Sequence, residues 1–250
     1  MSVQSAIAAA FLAPGLAFGS FLNVVAARVP VGRSIVRPRS ACMGCGTEIA
    51  WFDNLPVLSW ALLRGRCRHC AVSISWRYPA VELVTGLLVV ACVWKFGLSL
   101  DALVAAGFCM ALVTVSATDL THRIVPNRIV VPAAAAVLAA QTVLHPSVEW
   151  TAGALGASGF LFAAALAHPK GMGMGDVKLA LLLGAMLGRT VPIALLSGMI
   201  FALAPSLVLF ARHGINARKI KIPFAPFLAL GALLALFAGD PLLDWYLGFM

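Results

Sequence analysis

Long apolar runs alternate with short polar breaks along most of this chain. The runs cover roughly residues 3–27, 80–98, 100–118, 128–144, 149–167, 177–189, 190–211 and 224–248. Runs near 20 residues are long enough to cross a bilayer as helices. A helix satisfies its own backbone hydrogen bonds, which the hydrocarbon core cannot do for it. The pattern therefore predicts an all-α polytopic membrane protein with about eight transmembrane helices. The sixth run is short for a full crossing, so six to eight spans bracket the expectation. One extended polar stretch interrupts the series. The predicted division is a first transmembrane helix (1–27), a polar segment (28–79) and a transmembrane core (80–250). The first run does not read as a cleaved signal, because no Lys or Arg precedes it and the first basic residue is Arg28, beyond it.

Composition strengthens this reading. The 250 residues are 62% hydrophobic and 11% charged, with a mean hydropathy of +0.98, more apolar surface than a soluble domain of this length can hide. The net charge of +9 has a topological explanation. If the segment after the first span is cytoplasmic, it carries Arg28, Arg33, Arg37, Arg39, Arg64, Arg66, Arg68 and Arg77. The same face then receives Arg123, Arg128, Lys170, Lys178, Arg212, Arg218, Lys219 and Lys221, leaving only Lys95 and Arg189 outside. That bias predicts an N-terminus outside and a basic face toward the cytoplasm, attracted to anionic membrane lipids. No nucleic-acid partner is needed to account for the charge.

The polar segment holds "CMGC" and "CRHC". Cys42, Cys45, Cys67 and Cys70 thus form two C-x-x-C pairs with 21 residues between them. Each pair presents two thiolates from a tight turn, and two such turns complete a tetrahedral Cys₄ zinc site. A reducing cytoplasm favours metal over disulfides. A segment of this size also lacks the core to fold alone and gains from a metal. A closed Cys₄ site leaves no open position, so Zn2+ is expected to be structural. Cys92 and Cys109 fall inside spans and read as packing residues.

Of nine acids, Glu82, Asp119 and Asp176 fall at the cytoplasmic ends of spans in this topology. Asp119 lies where the third span leaves the membrane, and Asp176 where the sixth enters it. If those spans are neighbours, the carboxyls meet. Two close carboxyls resist ionising together, so one keeps a proton while the other accepts one from water. That pair suits attack of water on a peptide carbonyl. Gly171, Gly173 and Gly175 in "GMGMGDVK" would let the backbone run close to an extended substrate. The competing reading makes Asp176 a helix N-cap behind a flexible loop. No Gly-Lys-Ser/Thr follows, which argues against a phosphate loop.

Together these blocks resemble the type IV prepilin peptidases, membrane aspartic proteases with a G-x-G-D motif. "GSFLNVVAARVP" (19–30) is similar to the family's N-terminal signature and residues 42–86 to its zinc segment. "DLTHRIVPN" and "GMGMGDVKLALLLGAMLG" resemble its two aspartate motifs, and "IPFAPFLALG" (222–231) its last-span motif. Met43 stands where the family often has Pro, and Ala225 replaces a common Gly, which would add bulk near the site. The resemblance implies Asp119 and Asp176 as the catalytic pair, supported by Gly173 and Gly175. It implies cleavage of prepilins and pseudopilins after a Gly on the cytoplasmic face of the bacterial inner membrane. It also implies methylation of the new N-terminus with S-adenosylmethionine, for which Asn23, Gly65 and Glu82 are the candidates. Plainer roles for these three are a polar residue packed between spans, a turn glycine, and an acid at a helix start. Lys178 is expected to contact lipid phosphates, His122 to be solvated, and Pro126 to stop helix before the fourth span.

Two other functions use the same residues. Paired membrane carboxylates serve proton-coupled transporters, but these acids sit at one face and no inverted repeat is evident. A zinc-bearing scaffold would use both aspartates as caps only. A presenilin-like protease shares G-x-G-D, but Thr118 stands where that family has Tyr before the other aspartate, and the zinc segment is foreign to it.

Overall fold

The computed structural model describes residues 3–168, 173–214 and 222–248. Lys170, Gly171, Arg218, Lys219 and Lys221, which enter the charge and glycine readings above, lie outside the described residues. Within them the chain forms α1 (Val3–Ala10), α2 (Leu12–Arg28), α3 (Leu58–Leu62), α4 (Arg77–Phe96) and α5 (Leu100–His122). After these come α6 (Asn127–Leu144), α7 (Glu149–Ala167), α8 (Met174–Leu187), α9 (Val191–His213) and α10 (Ala225–Leu247). Short 3₁₀ turns cover Trp51–Asn54 and Gly188–Thr190. Pairing outside helices is limited, among the described residues, to two isolated bridges, Ala41 with Glu48 and Arg66 with Ser73.

Among the described residues, seven segments are long and apolar enough to cross a membrane. The sixth and seventh predicted spans fall together in one of them, the 40-residue stretch Met174–His213. Inside it, α8 has only 14 residues, about 21 Å of helix at 1.5 Å per residue, short of a bilayer core of about 30 Å. Gly188, at φ 50°, and the 3₁₀ turn it opens then separate α8 from α9. The chain is an all-α multi-pass membrane protein.

The chain divides into two compact units, Met1–Ala117 and Thr118–Met250. In the first, α2 packs against α4. Gly19 allows that approach: a Cβ there would sit 2.6 Å from the Cα of Glu82, so any side chain would push the helices apart. Cys92 and Cys109 are buried with their sulfurs 3.8 Å apart, packing residues as predicted. In the second unit, α8 packs on α6 and α7, and α9 on α10. Pro126 is the N-cap of α6 at ψ 122°, so the chain after α5 leaves helix before it re-enters. At the far end of α8 from Asp176, Glu149 accepts the Arg189 backbone N–H at 2.9 Å, and the Arg189 guanidinium reaches Asp240 at 2.9 Å.

Candidate active sites

In the second unit the two aspartate motifs are joined by two local contacts, and the first motif is also tied to the last helix. Asp119 occupies the last turn of α5 and is 7% exposed. Its Oδ2 accepts the backbone N–H of Ala225 at 3.0 Å. Ala225 is the first residue of α10 and wholly buried. An uncompensated N–H at a helix start carries partial positive charge, so this contact suits an ionised carboxylate. Asp176 lies in the first turn of α8, close enough to Asp119 for their charges to interact. No side chain caps α8; the N-cap is Gly173, so Asp176 is not the cap that the competing reading required.

Gly175 sets the spacing between the motifs. A Cβ on it would fall 2.8 Å from Cβ of Val125 in the loop after α5. Only glycine lets the first turn of α8 press on that loop. A Cβ on Gly173 would make ordinary contact with Asp176 Oδ2, at 3.7 Å. The Lys178 ammonium donates to Oδ1 of Asn127 at 2.9 Å, a second tie between the same two segments. The contact of Asp119 with Ala225 was invisible in the sequence, because the donor is a backbone group more than a hundred positions away. Ala225 drew notice only for its methyl.

The first unit gathers the four cysteines. All four sulfurs lie within 4.8 Å of one another, with Cys42 and Cys70 at 3.6 Å. Zn–S bonds of about 2.3 Å place tetrahedral sulfurs roughly 3.8 Å apart, so the cluster is of a size to hold a metal ion. The two turns are built alike. Cys42 N–H donates to Thr47 O and Gly46 N–H to Cys42 O; Cys67 N–H donates to Val72 O and Ala71 N–H to Cys67 O. Gly46 and Ala71, the residues after the second cysteine of each pair, both have positive φ, 71° and 56°. Hydrogen bonding with the Thr47 hydroxyl and from the Thr47 backbone N–H pulls the Cys45 thiol down to about 6, in favour of the metal-binding thiolate. Arg68, between Cys67 and Cys70, forks onto both oxygens of Asp53 and holds that carboxyl below its usual range.

Beside the cluster lies a cavity of about 690 Å³, whose lining includes Ser20, Asn23, Asn54, Trp60, Tyr78 and Glu82. That volume falls in the range of small-molecule sites. Glu82 is buried and its Oε2 accepts the Val57 N–H at 2.7 Å. Val57 has φ 61°, a region that a β-branched residue enters only at a cost of about 1–3 kcal/mol. Asn23 donates to the Tyr78 carbonyl at 3.1 Å, tying α2 to the start of α4. Gly65 is not in the lining. It sits behind the Trp60 ring at φ 66°, and a Cβ there would come within 2.9 Å of that ring. Of the three methyl-transfer candidates, the fold therefore brings Asn23 and Glu82 to one cavity and leaves Gly65 as a backing residue. Ser20, Asn54 and Tyr78 were not singled out beforehand; the strained Val57 they surround is a tertiary feature.

Residues 14–96 match the bacterial peptidase A24 N-terminal domain, and residues 106–207 match the type IV leader peptidase family. A prepilin leader peptidase/N-methyltransferase of Bacillus subtilis is 36% identical over 244 residues, covering 93% of this chain and 95% of that protein. Proteins of the same description from Burkholderia pseudomallei and Aeromonas hydrophila are 35% and 34% identical, each over more than 90% of this chain and 84% and 91% of their own lengths. No solved structure matches.

Proposed function

The chain belongs to the type IV leader peptidase family, and we propose that it cleaves the leader of type IV prepilins and pseudopilins after a glycine, then methylates the exposed amine. Asp119 and Asp176 form the catalytic pair. The observation that carries this is the Ala225 N–H on Asp119 Oδ2, with a second acid, Asp176, near enough for the two charges to interact. Asp119 accepts a proton from water through its other oxygen as that water attacks the scissile carbonyl. Asp176 gives its proton to the carbonyl oxygen; as the C–N bond breaks, the proton on Asp119 passes to the leaving amine and a hydroxyl of the diol returns a proton to Asp176. Gly175 keeps the two acids at working distance, and Gly173, beside Asp176, lets the backbone run close to an extended substrate.

Methyl transfer belongs to the cavity beside the cysteines. S-adenosylmethionine, when bound there, supplies the electrophilic methyl group. Glu82 would remove the ammonium proton of the new N-terminus at its oxygen not engaged by Val57, while Asn23 and Tyr78 shape the wall. The cluster of Cys42, Cys45, Cys67 and Cys70 holds structural Zn2+. The protein resides in the bacterial inner membrane with its N-terminus outside and both sites toward the cytoplasm, as the distribution of basic residues supports.

The test is mass spectrometry of a prepilin incubated with S-adenosylmethionine and wild type, Asp119→Asn or Asp176→Asn. Wild type is expected to remove the leader and add one methyl, and neither variant to release the leader. Asn at 119 still accepts the Ala225 N–H, so lost cleavage there reports chemistry and not a lost cap. Cleavage by either variant would overturn the two-aspartate reading.

A further inference from the structure

We propose that α3 and the 3₁₀ turn before it lie in the headgroup layer of the protein's own membrane, their exposed leucines dipped into lipid. The polar segment is tethered at both ends, by α2 ending at Arg28 and α4 beginning at Arg77, each part of a membrane-crossing helix. Its middle is drawn further in. Val57, just ahead of α3, donates to Glu82, which sits five residues inside α4, about 7.5 Å along the axis from Arg77. The start of α3 is therefore level with the first turns of a bilayer-spanning helix.

The faces of α3 agree with that depth. Its one fully buried residue is polar: Ser59 donates to Phe52 O and accepts the Leu55 N–H, with Trp60 half-buried beside it. Its outward residues are apolar, Leu58 at 53% and Leu62 at 74% exposure, one helical turn apart, and Trp51 before it is 79% exposed. This is the reverse of the arrangement water selects, and it fits a segment lying in the interface with leucine and tryptophan toward the acyl chains. Exposed Arg64 and Arg66 follow at once and Arg28 and Arg77 flank the segment, the charge that anionic headgroups attract. Phe52 and Asp53 of the 3₁₀ turn are held by Arg68, through the ring at 5.6 Å and the carboxylate, so the cysteine cluster fixes how this edge meets the membrane. The consequence is a cavity opening at the level where an apolar substrate helix ends, though the membrane contact stands without the proposed chemistry.

The test uses full-length protein in vesicles of phosphatidylethanolamine and phosphatidylglycerol, carrying the photo-crosslinker p-benzoylphenylalanine in place of Leu58, Leu62 or Leu87. Leu87 is exposed midway along α4 and reports lipid contact in a span. Lipid adducts at 58 and 62, in yields within about threefold of that at 87, are expected for an interfacial segment. Adducts at 87 with none at 58 or 62 would overturn the proposal, as would crosslinks from 58 and 62 to a second copy or another protein in place of lipid.

Discussion

The two units carry their candidate chemistry in opposite ways. In Thr118–Met250 the candidate groups are two side chains at helix ends, on segments joined by the Gly175–Val125 approach and a Lys178–Asn127 bond, with one backbone N–H on Asp119. In Met1–Ala117 the reactive group is a space. Its walls come from α2, α4 and a segment with little regular structure, held by a cysteine cluster and by the Val57–Glu82 bond. A pair of acids tolerates imprecise surroundings as long as the carboxyls face each other. A cavity has no such minimum part, and depends on every wall standing in place.

The sharpest way to break this contrast is to remove one activity and look for the other. Asp176→Asn is expected to lower leader cleavage by about 10²–10⁴-fold while methylation of an already cleaved pilin continues, as read by the mass of the pilin product. Glu82→Gln is expected to do the converse. Its amide oxygen still accepts the Val57 N–H, so methyl transfer falls about a hundredfold while cleavage and thermal unfolding stay near wild type.

A milder probe is Cys70→Ser, or exhaustive chelation of the intact protein. Either should lower methyl transfer on the order of tenfold or more, because the anchor for Arg68, Asp53 and the 3₁₀ turn is loosened. Cleavage should change far less. Equal loss of both activities would mean that the cluster supports the whole chain and not the first unit alone.

The smallest effect expected is in the glycine contact. Gly175→Ala overpacks Val125 at a cost of about 1–3 kcal/mol and should reduce cleavage by a few-fold to about tenfold. Adding Val125→Gly, which removes the Cβ that the new methyl would meet at 2.8 Å, should restore most of it, which a merely flexible glycine would not require. Cleavage rates of the two single variants and the double variant settle the coupling.

Much of the architecture was legible in the chain. Runs of apolar residues marked the helices, since a single continuous apolar segment satisfies its backbone in lipid only as a helix. The sixth run read as too short, and the structure has α8 at 14 residues, joined to α9 within one apolar stretch. Cysteine spacing marked the cluster because C-x-x-C geometry is local. The Lys178–Asn127 bond had no signal in the sequence, because it depends on the packing of α8 beside the loop after α5.

The sequence by itself determined what depends on neighbours along the chain: helical spans, paired cysteines, glycines before an acid, and the motifs that name the family. Tertiary structure alone decided what depends on groups far apart. It put the Ala225 N–H on Asp119, gathered Asn23 and Glu82 to one cavity while leaving Gly65 behind Trp60, and turned the leucines of α3 outward. Backbone donors and empty space have no letter in the sequence, so the contacts they make arise only once the helices pack.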